Sequence, residues 1–219
     1  QYINNGKTFR TELYYKDYDR LIKFDTDMPQ FDSAYTNSGG GYAKGVDIFW
    51  RDSKSIENLD YWFSYSYLDT ELLEQGDRSD DVSEVGFLEG STYTPIAVVG
   101  DELPFAPRHS YVANVNLFLP APESWGLMSL GSTYAYTGEQ RAAASNATPF
   151  DVLDDFSLLN FNLSWTEMFG SGFDVTLFGT NVLDEEYVTY VGGTYNIIGI
   201  ESRGMGLPRT FGARMRYNF

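Results

Sequence analysis

The sequence predicts an all-β protein built as a transmembrane antiparallel up-and-down β-barrel, and three observations predict it. Apolar side chains recur at every second position in stretches of about ten residues, the period of a strand with one apolar face. The opposite faces carry mostly Asn, Ser, Thr, Gly and aromatic residues, where a soluble sheet would carry Lys and Glu. The segments joining these stretches alternate between long and short along the whole chain.

Eight stretches follow in order. From Phe9 to Tyr15, Phe9, Thr11, Leu13 and Tyr15 oppose Arg10, Glu12, Tyr14 and Lys16; then Val46, Ile48 and Trp50 oppose Asp47, Phe49 and Arg51. Ile56 to Leu68 is the cleanest, with Leu59, Tyr61, Phe63, Tyr65 and Tyr67 against Asp60, Trp62, Ser64, Ser66 and Leu68. From Tyr111 to Leu119, Tyr111, Ala113, Val115, Leu117 and Leu119 face away from Val112, Asn114, Asn116 and Phe118. Met128, Leu130, Tyr134 and Tyr136 share a parity against Ser129, Gly131, Thr133, Ala135 and Thr137. Leu159, Phe161, Leu163 and Trp165 oppose Asn160, Asn162 and Ser164, and Phe173, Val175 and Leu177 oppose Asp174, Thr176 and Phe178. The last sets Ala213, Met215, Tyr217 and Phe219 against Gly212, Arg214, Arg216 and Asn218.

Across their central spans the apolar faces carry no Lys, Arg, Asp or Glu. On a lipid-facing wall this matters, because one Arg or Lys at the bilayer midplane costs about 2–4 kcal/mol. The joints point the same way. Asp25–Gly41, Asp69–Arg108, Gly138–Asp155 and Asp184–Pro208 are long, whereas Asp52–Ser55, Pro120–Ser124 and Glu167–Gly172 are short. Outer-membrane barrels pair tight periplasmic turns with long extracellular loops, and compact soluble domains rarely hold structureless loops beyond about 15 residues. A chain that ends on a strand at the periplasmic side puts every long joint outside the cell.

Composition excludes several classes. With 15 Lys and Arg against 31 Asp and Glu, the formal charge of −16 leaves no basic patch for nucleic acid. There is no cysteine, hence no disulfide framework or thiolate metal site. Aromatics are 17% of residues, with 17 Tyr and 21 Gly, which favours strands and turns over helices. No apolar run reaches about 18 residues, the minimum for a membrane-crossing helix. The mean hydropathy of −0.32 suits a soluble protein, but equally a barrel whose alternate residues face a polar lumen. Nothing at Gln1 looks like a secretory leader, so the chain is expected to be a mature product or a piece starting mid-protein.

Four segments carry a family resemblance. Gly206-Leu207-Pro208-Arg209-Thr210-Phe211-Gly212 through Phe219 resembles the last strand of TonB-dependent receptors, with its Pro-Arg-Thr/Ser-aromatic-Gly lead and terminal Phe. Phe178-Gly179-Thr180-Asn181-Val182-Leu183-Asp184-Glu185-Glu186-Tyr187 resembles the family's N-L-F-D-x-x-Y stretch, with Val-Leu in place of Leu-Phe. Leu103-Pro104-Phe105-Ala106-Pro107-Arg108-His109 and Tyr42-Ala43-Lys44-Gly45-Val46-Asp47 resemble the leads of two earlier strands. The resemblance implies about eight strands of a 22-stranded barrel, with residues 1–219 as its C-terminal portion and a plug domain with its TonB box outside this chain. It further implies active import across the outer membrane of a Gram-negative bacterium, most of all of a ferric siderophore. Cobalamin, sugars or other chelates are further substrate classes. The partners implied are outer-membrane lipid, TonB through that plug, the barrel-insertion machinery and a small-molecule ligand, with no cofactor. The alternatives are a self-closed passive or adhesive barrel, and a soluble extracellular sandwich.

Candidate residues follow. Gly212, Met215, Tyr217 and Phe219 resemble the assembly signal read by the insertion machinery, and the same aromatics would serve an interfacial girdle. Arg108, Arg141, Arg203 and Tyr195, with Tyr93 and Tyr190, fall in or near the long loops and suit an anionic, aromatic iron chelate. His109 is the only histidine and has no nucleophile or acid beside it in sequence, so it reads as the start of a strand rather than a catalyst. Asp77, Asp80, Asp81 and Glu84 lack the spacing of a calcium loop, and Gly39-Gly40-Gly41 is not followed by the Lys-Ser/Thr of a phosphate loop. No paired-carboxylate or nucleophile–base arrangement indicates an enzyme.

Overall fold

A computed structural model describes residues 1–19, 22–27, 32–37, 39–74, 99–142, 150–191 and 200–219. The strands in chain order are β1 (Tyr2–Asn4), β2 (Lys7–Tyr18), β3 (Ile22–Asp27), β4 (Asp32–Asn37), β5 (Gly41–Asp52), β6 (Leu59–Leu72) and β7 (His109–Leu119). They continue with β8 (Leu127–Thr137), β9 (Gln140–Arg141), β10 (Val152–Leu153), β11 (Phe156–Thr166), β12 (Phe173–Thr180), β13 (Val188–Val191), β14 (Arg203–Met205) and β15 (Thr210–Tyr217). Nine of them form one antiparallel sheet in the order β1-β2-β5-β6-β7-β8-β11-β12-β15. The eight long members are the eight stretches of alternation, each a neighbour of the next. β1 and β15 stand at opposite ends of that order, so the described sheet is an open wall and not a self-closed barrel.

Register converts the alternation into two chemically distinct faces. One row across six strands reads Leu59, Leu117, Leu130, Leu163, Leu177 and Ala213. The next row, one residue on and therefore on the other face, reads Asp60, Asn116, Gly131, Asn162, Phe178 and Gly212. A slip of one residue in any strand would exchange the two sets, so the pattern strongly specifies its own register.

The apolar face is left uncovered. Leu13 is 78% exposed, and Trp50, Phe63, Leu130, Phe161, Leu177 and Phe211 are all among the exposed large hydrophobic residues. Buried apolar residues number four among those described (Ala43, Leu72, Leu153 and Val191), and none lies beneath the middle of the sheet. A water-soluble sheet must bury one face to offset the entropy of ordering its chain, and this one buries neither. Soluble monomers rarely expose so continuous an apolar surface. The 11-residue strands β7, β8 and β11 each run roughly 36 Å, which at a tilt of about 40° matches an apolar band of about 25 Å.

The polar face satisfies itself laterally. Asn114 Nδ2 donates to Thr133 Oγ1 at 2.8 Å, Asn116 Nδ2 to Asn114 Oδ1 at 2.8 Å, and Ser66 Oγ to Asp47 Oδ1 at 2.6 Å. Arg51 grips Asp60 through two nitrogens, at 3.1 and 2.6 Å. Gly131 is what the asparagines require: a Cβ there would lie 2.4 Å from Asn162 Oδ1 and 2.8 Å from Asn116 Oδ1.

The two ends of the wall differ as the joint lengths predict. One end has the tight turns: residues 53–58, the 3₁₀ turn Glu123–Trp125, and Met168–Gly170. Residue Asn218 closes this end, its N–H donating to Gly172 O at 2.8 Å, so the C-terminal strand finishes beside a tight turn. The other end has the long connections. Three of them are not featureless, for β3–β4, β9–β10 and β13–β14 are two-stranded ladders standing beyond the wall. The strands of β9–β10 and β13–β14 are too short to show a period of two, and in β3–β4 only Ile22–Asp27 alternates, so these connections read as loops in the sequence.

Candidate functional site

The long-loop end carries the groups suited to meet a ligand, and its geometry starts where β12 stops. Asn181 follows Thr180 with φ 48°, a left-handed conformation that Asn tolerates better than most residues. Its backbone N–H donates to Asn160 Oδ1 at 2.8 Å, and its Oδ1 accepts from the Glu185 N–H at 2.9 Å. Its Nδ2 donates to Glu185 O at 2.8 Å and to Leu207 O at 3.1 Å, so one 4%-exposed side chain binds both roots of the last long connection. Asp184 pairs with Arg209 at 2.9 Å across the same two roots. Tyr187 stacks on Phe156 with centroids 4.4 Å apart and lies flat against Gly206, where a Cβ would come within 2.1 Å of its ring.

This clasp brings Glu186, Tyr187 and Val188 to the wall of one crevice with Arg203. Together with Val152, Leu153, Asp154 and Asp155 they line a crevice of about 190 Å³. The Arg203 guanidinium lies 4.8 Å from the Phe150 ring centroid. Arg141 sits directly across the β9–β10 ladder from the lining residue Val152. Its Nε and Nη1 are buried and donate to no acceptor among the described residues, an arrangement that costs free energy and that an anion would relieve. The crevice is smaller than the 300–1,000 Å³ typical of small-molecule pockets, so it holds part of a ligand at most.

The candidate residues divide accordingly. Arg141 and Arg203 flank the same strand pair, whereas Arg108 stands apart in an ion pair with Glu102. Tyr190 is 55% exposed on β13. Tyr93, Tyr195 and the acidic group Asp77, Asp80, Asp81 and Glu84 lie outside the described residues. Gly39 (φ 98°) and Gly40 lead into β5, and Gly40 O receives the N–H groups of Leu73 and Glu74. His109 opens β7 with Nδ1 2.9 Å from Tyr65 Oη and its ring beside those of Tyr65 and Tyr67. The site residues that sequence reasoning missed are Asn181, Asp184, Tyr187, Gly206 and Arg209. All five were visible as motif members, but nothing in the spacing says that the two motifs meet.

At the tight-turn end, Met215 and Tyr217 fall on the apolar face, Met215 opposite Val175 and Tyr217 opposite Phe173. The Tyr217 ring is 4.7 Å from Phe173 and edge-on to Phe219 at 4.9 Å. Gly212 lies on the polar face beneath Phe178, whose ring atoms come within 2.4 Å of where a Cβ would stand. Asp52, the last residue of β5, is buried and pairs with Lys7 at 3.5 Å. The Asp52 Oδ1 accepts the Lys54 and Ser55 backbone N–H groups at 3.0 and 2.9 Å.

Comparison with known proteins agrees with this architecture. The family described as TonB dependent receptor-like, beta-barrel matches residues 2–182. No curated protein sequence matches. Among solved structures, the ferric yersiniabactin uptake receptor FyuA from Yersinia pestis is similar over 100% of this chain and 28% of its own, at 16% identity and TM-score 0.74. The siderophore receptor PiuA from Acinetobacter baumannii is similar over 98% of this chain and 26% of its own, at 14% identity and TM-score 0.66. The FrpB iron transporter from Neisseria meningitidis is similar over 100% and 30%, at 12% identity and TM-score 0.64. The chain thus spans less than a third of the length of these structures, and at such identities the likeness concerns the fold.

Proposed function

The chain belongs to the TonB-dependent receptor β-barrel family, and from that premise we propose that it is the C-terminal part of an outer-membrane receptor importing a ferric siderophore. The family is one of transport receptors and not of enzymes. In this reading the apolar face meets lipid, the polar face lines the lumen, the tight turns face the periplasm and the long connections face outside. A plug upstream of these residues closes the lumen and yields to TonB, and the insertion machinery reads Met215, Tyr217 and Phe219 with Gly212.

The observation that carries the proposal is the segregation of every long connection to one end of a two-faced wall, with the cationic groups of Arg141 and Arg203 set into that end. Ferric chelates are commonly anionic, and planar guanidinium groups pair with carboxylate and phenolate oxygens in two-point fashion. Three of the structural neighbours carry names that tie them to iron or siderophore uptake, which supports the same substrate class.

The test is uptake of radioactive iron from a panel of ferric chelates, in iron-starved cells whose only such receptor is the full-length protein. Accumulation of iron from at least one chelate, abolished by loss of TonB, is the expected result. Accumulation that persists without TonB would identify a passive barrel and overturn the proposal.

A further inference from the structure

At the long-connection end, residues 100–108 form a strap that runs from the end of β6 to β9. The Gly100 N–H donates to Leu72 O at 2.8 Å, the Leu72 N–H to Asp101 O at 2.9 Å, and the Leu103 N–H to Thr70 Oγ1 at 3.0 Å. Thr70 and Leu72 share the parity of Asp60, Ser64 and Ser66 on the polar face, and both are buried. The Phe105 N–H then donates to Arg141 O at 2.8 Å, and an ion pair between Glu102 and Arg108 closes the strap. It is therefore fastened on the polar-face side of the wall, away from the apolar face.

Pro104 and Phe105 make a turn in this strap, and Phe105 takes φ 53°, a corner that Gly or Asn occupies at far less cost. Every other residue from Asp101 to Pro107 is buried or half-buried, yet Phe105 is 51% exposed. Neither burial nor backbone preference accounts for a large apolar ring at this corner. Strain of this kind persists where the surrounding structure enforces it, and it gathers at ligand clamps and active sites. A second observation comes from the residue that receives the Phe105 N–H. Arg141 has its Nε and Nη1 buried with no acceptor among the described residues. An exposed ring and an unsatisfied guanidinium, held backbone to backbone, suit one chemical group: a flat ring that carries negative charge.

We propose that Phe105 is the platform, and Arg141 the anion partner, of a subsite for an aryl group with ionised oxygens, such as a catecholate or an aryl carboxylate. Phe105 stacks against the ring, and Arg141 meets its oxygens. The inference rests on the reading of this end as the ligand-capturing one, and it narrows the chelates to those that bear aromatic rings.

The test is equilibrium binding of radioactive-iron chelates to the full-length receptor in detergent, with TonB absent. The probes are the ferric complexes of dihydroxybenzoate, which carries a ring, and of citrate, which is anionic without one. The parent should bind the dihydroxybenzoate complex more tightly. Phe105→Gly, which suits the same backbone without strain, should weaken that complex about three- to tenfold and leave the citrate complex unchanged. Phe105→Tyr, which keeps a ring, should retain the preference, and Arg141→Leu should weaken the dihydroxybenzoate complex. A parent that binds the citrate complex as tightly, an equal loss of both complexes in Phe105→Gly, or binding of neither would overturn the proposal. Aryl preference with uptake that persists without TonB would overturn the transport reading alone. TonB-dependent uptake of iron from citrate only would overturn the aryl subsite alone.

Discussion

Asn181 shows how much one buried amide can hold. Replacing it with Ala removes the side-chain partner of the half-buried Glu185 N–H and carbonyl, whereas water takes up the carbonyl of the exposed Leu207, so the loss is about 1–3 kcal/mol in all. The Asn181→Ala receptor should therefore unfold at lower denaturant, and amide exchange should rise first at residues 184–188. Arg141 predicts the opposite pattern. Because its buried nitrogens have no partner among the described residues, Arg141→Leu should leave stability equal or higher. The same change should weaken ferric-chelate uptake about tenfold in half-saturating concentration, the worth of one charge-assisted contact.

At the scale of elements, the wall was legible because its faces never mix. The period of two marks all eight long strands, and errors fell only at their ends. The alternation carries Ile56 into its strand, although the turn runs to Asn58, whose φ of 61° and whose neighbour's bond from Leu59 N to Ile56 O delay the start. Of the small ladders, β9–β10 and β13–β14 have strands of two to four residues, too short to carry a period, while Ile22–Asp27 alternates but faces Asp32–Asn37, which does not. The wall also predicts an asymmetric response to charge. Phe161, central in β11 on the apolar face, should cost about 2–4 kcal/mol when replaced by Arg. The neighbouring lumen residue Asn162 should accept Asp with far less loss. Equilibrium unfolding in vesicles measures both.

For the whole molecule, the long-loop end was legible as a location and not as a geometry. Alternating joint lengths placed Arg108, Arg141 and Arg203 at one end, yet only the ladders and the clasp show that Arg141 and Arg203 flank one crevice while Arg108 pairs with Glu102. Convergence of residues 62 positions apart is set by tertiary packing, on which a local pattern is silent. All functional statements depend on one property of the wall, that its two faces meet different solvents. The most direct test is a spin-label scan of residues 156–166 in the full-length receptor in lipid, aided by the absence of cysteine from this chain. The account predicts that labels at Leu159, Phe161, Leu163 and Trp165 are relaxed by oxygen from the bilayer, and those at Asn160, Asn162 and Ser164 by an aqueous nickel reagent or not at all. Equal oxygen access at both parities, or none at either, would contradict it.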